Sequence, residues 1–231
     1  MSNNNYLFPL PEVITVPVQG SDTLYPVYRI FCVGRNYEAH AKEMGVAVDR
    51  EAPFYFTKSR DTIVPSGARI PYPPGTKNYH YEMEFVVALG DDAFEVSLED
   101  TGNYIYGYAC GLDMTRRDLQ LDARAKGRPW DLGKDLEQSA VISPIVPASE
   151  IGHPTAGAIE LSVNDEVRQS NNIANLIWSV PELVSHLSRY YHLRAGDLIF
   201  TGTPEGVGAV QAGDRLLGRV EGVGTVELFV V

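Results

Sequence analysis

Cysteine and positively charged residues are scarce in this sequence. With 2 cysteines in 231 residues, the chain cannot form the disulfide framework of a small secreted domain. Cys32 and Cys110 both lie in apolar runs, which predicts buried free thiols. The 19 lysines and arginines are outnumbered by 30 aspartates and glutamates, so the formal net charge is -11. Because binding to nucleic acid or to an anionic membrane surface needs a basic face, neither is expected as a partner.

Long hydrophobic runs are also missing. No apolar run approaches the ~18 residues of a membrane-spanning helix. The first residues carry neither the basic segment nor the apolar core of a secretory signal. We therefore expect a cytoplasmic protein. Hydrophobic residues make up 44% of the chain and charged residues 21%, which is typical of a globular protein with a substantial core.

Short apolar segments between turns predict most of the secondary structure. Gly (21) and Pro (15) are frequent turn residues, and the proline-rich residues 64–78 predict a loop. The patterns predict an α+β, mostly β domain over residues 28–231, preceded by an arm with short strands over residues 1–27. Asn36 is a candidate N-cap of the first helix. The expected strands cover 28–33, 54–57, 82–89, 104–112, a hairpin over 161–168, 197–201, a segment around 216, and 226–230, and the expected helices cover 37–44, 115–126 and 180–191.

Two carboxylates open the most apolar predicted strand. Glu82 and Glu84 share one face of that strand, with Cα atoms ~6.6–7 Å apart. At the edge of a buried strand they would repel each other and lose hydration without a counterion, so a metal ion is expected there. Asp113 ends another apolar strand and is the best third ligand. Oxygen ligands favour Mg²⁺, Mn²⁺ or Ca²⁺ over zinc, although ordinary solvated acids at a strand start would give the same spacing.

Three further patterns suggest catalytic groups. His40 and Glu43 share a helix face, which suits a general base oriented by a carboxylate and equally suits a surface ion pair. Lys58 and Lys134 follow mostly apolar segments, where a lysine can stabilise developing negative charge or simply extend from the surface. The glycine-rich residues 201–208 offer backbone N–H groups to an anion. They match neither nucleotide-binding fingerprint, and no G-x-S-x-G elbow is present.

Together these motifs resemble the fumarylacetoacetate hydrolase family. They occur in the family's order and cover nearly the whole chain, which makes the set specific although no single motif is decisive. The resemblance implies a mixed β-sandwich roll and a homodimer that hydrolyses C–C bonds of small diketo acids. Residues 116–120, 127–130 and 176–179 resemble the branch that cleaves fumarylpyruvate during gentisate degradation. The motifs that carry the resemblance are 33–37 with His40 and Glu43, 78–84, 107–108, 112–115, 117–118, Lys134 and 201–208.

The resemblance also implies roles for individual residues. Glu82, Glu84 and Asp113 would hold Mg²⁺ or Mn²⁺. The catalytic residues would be His40 and Glu43, as a dyad that activates water, and Lys134, which would neutralise charge on the metal-bound oxygens. The expected substrate-binding residues are Lys58, Arg117, Gln120 and Thr203.

Two positions depart from the family pattern. Family members commonly have proline where this chain has Ser59, which predicts a looser placement of Lys58. The hairpin turn often carries Asn-Gly, and here Asp165 replaces the glycine. This change is mild because Asp tolerates positive φ.

The same metal site would also serve an acylpyruvase or an oxaloacetate decarboxylase. A cation for the distal carboxylate of fumarylpyruvate would discriminate these activities, and the candidates are Arg35, Arg124 and Arg128. An isomerase or hydratase would not need the His40–Glu43 dyad. A non-catalytic metal- or oxoacid-binding protein would be expected to lack some of the catalytic side chains, all of which are present.

Overall fold

The computed structural model describes residues 6–43, 45 and 50–231, and strands make up most of its regular structure. The mostly β, α+β prediction is confirmed. Among the described residues, the α-helices are α1 Glu38–Glu43, α2 Arg117–Ala125, α3 Asp131–Lys134, α4 Ala148–Ile151 and α5 Val180–Ser188. In chain order, the strands are β1 Thr15–Pro17, β2 Leu24–Pro26, β3 Arg29–Gly34, β4 Phe54–Lys58, β5 Ile63–Pro65, β6 Ala68–Ile70, β7 Tyr79–Tyr81, β8 Met83–Leu89, β9 Ile105–Asp113, β10 Thr115–Arg116, β11 Ala140–Ile142, β12 Val146–Pro147, β13 Ala158–Val163, β14 Glu166–Asn172, β15 Asp197–Phe200, β16 Gly208–Ala209, β17 Arg215–Val220 and β18 Gly224–Val230.

The largest sheet has the strand order β4-β3-β15-β8-β9-β11-β5, with β12 added beside β9. Its central strands are covered on both faces: every residue of β8 and of β15 is buried, and all of these residues except Glu84 and Asp197 are apolar. Such continuous apolar runs are typical of strands that are covered on two sides. A second sheet has the order β14-β13-β17-β18-β6, a small third sheet has the order β10-β7-β16, and β1 pairs with β2.

Two apolar clusters cover the two faces of the large sheet. The larger cluster lies between the large sheet and the five-stranded sheet, where Phe85 and Leu112 belong to the same core as Leu216 and Leu228. The second cluster lies on the opposite face and includes Val16 and other residues of the N-terminal segment. The strand ends of the large sheet are thus fixed from both sides, which makes them a rigid support for polar side chains.

Several local predictions are confirmed. The hairpin between β13 and β14 turns at Asn164 and Asp165, whose φ angles are 50° and 66°. Ser179 and Glu182 form a reciprocal capping box at the start of α5. Both cysteines are free and buried.

None of the helices described is long and apolar enough to cross a membrane.

Other local predictions need correction. The segment predicted as a loop over 64–78 contains the end of β5 and all of β6, which pair in parallel with β11 and β18. Both are edge strands, where proline is tolerated because one side of the backbone needs no ladder hydrogen bond. Helix α2 begins at Arg117, after the short strand β10, and α5 ends at Ser188. The predicted last residue of α1, Met44, lies outside the described residues.

Candidate active site

Three acidic side chains meet where β8 begins and β9 ends. These strands are antiparallel, and the backbone N–H of Asp113 donates to the carbonyl oxygen of Glu82 at 2.9 Å. One carboxylate oxygen from each of Glu82, Glu84 and Asp113 lies within 4.8 Å of the other two. The residues are 5%, 1% and 0% exposed. The structure therefore brings together all three predicted metal ligands in a buried cluster.

Lys134 reaches this cluster from the end of α3. Its Nζ donates to Glu82 Oε2 at 2.8 Å, to Asp113 Oδ2 at 2.6 Å and to Thr115 Oγ1 at 2.8 Å. Gly133 allows α3 to approach α2 closely, because a Cβ at this position would lie 2.8 Å from the backbone nitrogen of Gln120. A buried ammonium group thus bridges two of the acids.

Lys58 approaches the same cluster from β4, behind Asp113. Its Nζ lies 2.9 Å from Asp113 Oδ1, and it donates to Ser139 Oγ at 2.8 Å and to the carbonyl oxygens of Met114 and Lys134. The side chain has no exposed surface and does not line the cavity beside the acids. This placement suits charge compensation for Asp113 better than the substrate contact predicted for Lys58.

Burial and neighbouring charges shift the pKa values of Glu84 and Glu82 in opposite directions. Burial raises the pKa of Glu84 well above its usual range, and the neighbouring Asp113 and Glu82 carboxylates raise it further. Burial also raises the pKa of Glu82, but the charges of Lys134 and Arg117 outweigh it, so this pKa lies below its usual range. For Lys134 burial lowers the pKa, yet Asp113 and Glu82 hold it above its usual value, so the ammonium stays charged.

The donor set fits a divalent cation. Asp113 Oδ1 is buried and accepts no hydrogen bond within the described part of the chain, since the approach of Lys58 has the wrong direction for one. Burial and the Asp113 and Glu82 carboxylates also keep the pKa of Glu84 raised, although the charge of Lys134 and the Gly202 N–H lower it. A cation among the three carboxylates would remedy both defects. Their oxygen ligands are those that Mg²⁺ and Mn²⁺ prefer.

His40 and Glu43 form the predicted pair on α1. His40 Nδ1 lies 3.2 Å from Glu43 Oε2, and His40 is almost fully buried at the cavity wall. The Glu43 carboxylate also accepts the backbone N–H of Gly206, at 3.2 and 3.3 Å to its two oxygens. The glycine-rich loop therefore holds the carboxylate that orients the histidine.

Arg117 and Gln120 occupy one face of α2. The Arg117 guanidinium donates to Glu82 Oε1 and to Gln120 Oε1, and its Nε donates to His80 Nδ1 at 3.4 Å. Burial, assisted by the Arg117 charge, lowers the pKa of His80 to about 4. His80 is therefore neutral at pH 7, and it supports Arg117 without belonging to the acid cluster.

Thr203 lies at the cavity wall, where it is held by Gln169. No pattern in the sequence identifies Gln169 as a residue of the site. Gln169 Nε2 donates to Thr203 Oγ1 at 2.9 Å and to the carbonyl oxygen of Pro204 at 2.8 Å. Gln169 Oε1 accepts the backbone N–H of Met83 at 3.0 Å. The side chain thus joins the glycine-rich loop to the strand that carries the acids. A glutamine on a half-exposed hairpin strand gives no hint of this contact in the sequence.

Asn36 has a different function from the predicted helix cap. Its Nδ2 donates to the carbonyl oxygens of Trp178 at 3.0 Å and Thr201 at 2.8 Å, while its Oδ1 accepts the Trp178 N–H at 2.7 Å. Helix α1 begins at Glu38, so Asn36 lies one residue before the cap position, and its amide is engaged by these long-range bonds. They fix the chain between β3 and α1 against the start of the glycine-rich loop.

Ser59 offsets the missing proline after Lys58. Its backbone N–H donates to Asp135 Oδ1 at 2.7 Å, and its hydroxyl donates to Asp135 Oδ2 at 2.9 Å. A proline could not make the first bond because it has no N–H. Since Asp135 follows Lys134, these bonds connect the segments that carry the two lysines, which opposes the predicted loosening of Lys58.

A cavity opens beside the acid cluster. The catalytic and substrate-binding candidates His40, Arg117, Gln120, Lys134 and Thr203 all line it, together with Glu82. Two arginines that the sequence offered only as candidates, Arg35 and Arg124, line both this cavity and the neighbouring groove, whereas Arg128 lines the groove but not the cavity.

Known proteins resemble this chain in sequence and in fold. Residues 29–231 match the family profile described as fumarylacetoacetate (FAA) hydrolase C-terminal. A fumarylpyruvate hydrolase from Ralstonia sp is 58% identical over 189 residues, which cover 81% of this chain and 98% of the relative. The oxaloacetate tautomerase FAHD1 of Homo sapiens is 39% identical over 194 residues, covering 84% and 87%. The crystal structure of fumarylpyruvate hydrolase from Pseudomonas aeruginosa with Mn²⁺ and pyruvate superposes with a TM-score of 0.95 at 51% identity, covering 98% of this chain and 99% of that one.

Proposed function

Because the chain belongs to the fumarylacetoacetate hydrolase family, we propose that it hydrolyses the C–C bond of fumarylpyruvate to give fumarate and pyruvate. The observation that carries this proposal is that the buried acid cluster and the His40–Glu43 pair each contribute a residue, Glu82 and His40, to the wall of one cavity. The identity to the Ralstonia fumarylpyruvate hydrolase supports the choice of substrate.

The α-oxo acid end of the substrate is proposed to bind beside the acid cluster. Glu82, Glu84 and Asp113 would hold Mg²⁺ or Mn²⁺, which supplies Lewis acidity and a template for the oxo acid. Lys134 and Arg117 each contact Glu82 and keep cationic groups at the cavity wall, where they attract the substrate carboxylate. Gln120 and Thr203 add hydrogen-bonding groups at the same wall.

His40 is proposed as the general base. A carboxylate can only accept hydrogen bonds, so the contact with Glu43 places the proton on His40 Nδ1 and leaves Nε2 basic. Nε2 takes a proton from water, and the hydroxyl adds to the substrate's distal carbonyl carbon. The bond from this carbon to the methylene group then breaks. The electron pair stays on the pyruvate fragment as an enolate, which takes a proton to become pyruvate, while the other fragment leaves as fumarate.

The first test is the loss of near-UV absorbance of fumarylpyruvate with Mg²⁺, with Mn²⁺ or with EDTA. We expect rapid loss that depends on the metal and yields fumarate and pyruvate in equal amounts. Acetylpyruvate and oxaloacetate, assayed in parallel, should turn over much more slowly. Absence of metal-dependent cleavage of fumarylpyruvate would refute the proposal.

A second candidate is an acylpyruvase or oxaloacetate-directed activity at the same site. The relatives named oxaloacetate tautomerases, which are 37% to 41% identical, favour including oxaloacetate in the assay. Preference for oxaloacetate or acetylpyruvate over fumarylpyruvate would support this candidate and keep the same metal ligands.

We also propose that the protein works as a cytoplasmic homodimer. The two buried free cysteines suit a reducing compartment. Leu7, Phe8 and Leu10 are 88%, 75% and 62% exposed, and adjacent exposed apolar side chains are typical of an interaction surface. Light scattering after size exclusion should give twice the mass of one chain, and a monomer mass would contradict the dimer.

A further inference from the structure

Two arginines from separate elements extend the cavity away from the acid cluster. Arg35 follows β3, and Arg124 lies near the end of α2, yet both line the same cavity as Glu82 and His40. The chain as a whole has a net charge of -11, so paired arginines at a cavity wall contrast with the rest of the molecule. Cationic walls of this kind attract anionic ligands.

Helix α2 sets the spacing between the two ends of the cavity. Arg117, Gln120 and Arg124 are at positions i, i+3 and i+7, so they share one helix face. Arg117 contacts Glu82, whereas Arg124 lies two turns further on, about 10 Å along the helix axis. The helix therefore presents one cation beside the acid cluster and a second one at a fixed distance from it.

Arg35 is held in an unusual backbone conformation that directs it to the same region. Its φ angle is 61°, in the left-handed region that arginine rarely adopts. Its guanidinium carbon lies 5.2 Å from the Phe54 ring centroid and 5.9 Å from that of Trp130. Within the described part of the chain, no carboxylate forms an ion pair with it.

The positive charge of Arg124 also affects the pKa of Arg35. Burial lowers the pKa of Arg35, and the charge of Arg124 lowers it further. An anion that binds both guanidinium groups would offset this repulsion, and arginine binds carboxylates with two parallel hydrogen bonds. These observations describe a subsite for a carboxylate at the far end of the cavity.

We propose that Arg35 and Arg124 bind the distal carboxylate of a dicarboxylic diketo acid and so select it over monocarboxylic acylpyruvates. This inference rests on the proposed function, because the α-oxo acid end is taken to lie beside Glu82. The carboxylates of fumarylpyruvate are six bonds apart, and an extended chain of that length spans about 7 Å. Arg117 and Arg124 are separated by about 10 Å along the α2 axis, a distance of the same order as this span.

Arg128 supplies a matched control. It is exposed and lines the neighbouring groove, but it does not line the cavity that contains Glu82. Arg124→Gln and Arg128→Gln remove the same charge from the same region of the surface. Glutamine and arginine have similar helix propensities, so the substitution on α2 should leave the fold intact.

The test compares kcat/KM for fumarylpyruvate and acetylpyruvate in the wild type and each variant. We expect Arg124→Gln to reduce the preference for fumarylpyruvate by about 10- to 100-fold, as for the loss of a charged hydrogen bond, with most of the change in KM. Arg124→Lys should recover part of that preference, and Arg128→Gln should retain it. An equal effect of Arg124→Gln on both substrates, or none on either, would overturn the inference.

A binding measurement separates this inference from the proposed function. Calorimetry with Mn²⁺ present should show that wild-type protein binds fumarate at least 10-fold more tightly than crotonate, in which a methyl group replaces one carboxylate. Arg124→Gln should abolish that difference. If the wild type cleaves neither diketo acid but keeps the fumarate preference, the proposed function fails and the carboxylate subsite stands. Equal binding of fumarate and crotonate would refute the subsite.

Discussion

Replacing Lys134 with methionine tests how the protein tolerates three buried acids. Lys134 is 2% exposed, and its Nζ lies 2.8 Å from Glu82 and 2.6 Å from Asp113. Methionine keeps much of the side-chain length but removes the charge. Removing one partner of a buried ion pair leaves an uncompensated charge, which costs about 3–5 kcal/mol. That is a large part of the roughly 5–15 kcal/mol that stabilises a folded domain.

The assay is urea unfolding of Lys134→Met and wild type, each with EDTA and with excess Mn²⁺. With EDTA, we expect the variant to lose about 3–5 kcal/mol of unfolding free energy. With Mn²⁺, the loss should be smaller, because a cation that binds the acids replaces part of the missing positive charge.

Lys126→Met is the matched control for this experiment. Lys126 forms an ion pair with Asp122 at 2.6 Å, but both side chains are at least half exposed. Exposed helix pairs contribute only about 0.3–0.5 kcal/mol. If Lys134→Met were no more costly than Lys126→Met in EDTA, the buried acids would not depend on Lys134 for charge compensation, and the reasoning would be refuted.

Three further substitutions test separate contacts. His40→Ala should lower kcat about 10²- to 10⁴-fold, as for loss of a general base, while Mn²⁺ affinity measured by calorimetry stays near that of the wild type; full turnover would remove this residue from the mechanism. Asp135→Ala should lower the unfolding free energy by about 1–2 kcal/mol, since it breaks both bonds from Ser59, and an unchanged urea midpoint would contradict this. Gln169→Leu should raise KM by releasing Thr203 and should destabilise the fold by about 1–3 kcal/mol through an unsatisfied N–H; unchanged values of both would exclude a positioning role.

The local sequence predicts much of the acid cluster. Glu82 and Glu84 alternate with apolar residues at the start of a buried strand, so their shared face follows from strand geometry alone. Asp113 ends the strand that pairs with it, and antiparallel pairing then brings the three acids together. The proposed His40–Glu43 pair follows from helical spacing in the same way.

Contacts between distant segments could not be predicted from local patterns. Asn36 has the residue type of a helix cap, but it bonds to Trp178 and Thr201 instead. Gln169 lies on a hairpin strand whose other residues mostly face solvent, and only the packing of two sheets explains its burial. The pairing of the proline-rich segment also depends on partners far along the chain, β11 and β18.

The two buried lysines also bear on whether the protein needs a metal ion in order to fold. Lys58 and Lys134 already neutralise much of the acid cluster, so the polypeptide can reach its native state before any metal arrives. Zinc fingers behave in the opposite way, because their chains stay unfolded until metal binds. Here the protein would fold first and would then bind either Mg²⁺ or Mn²⁺, depending on which ion is available. Metal-free protein should then be storable and be loaded with different ions from a single preparation.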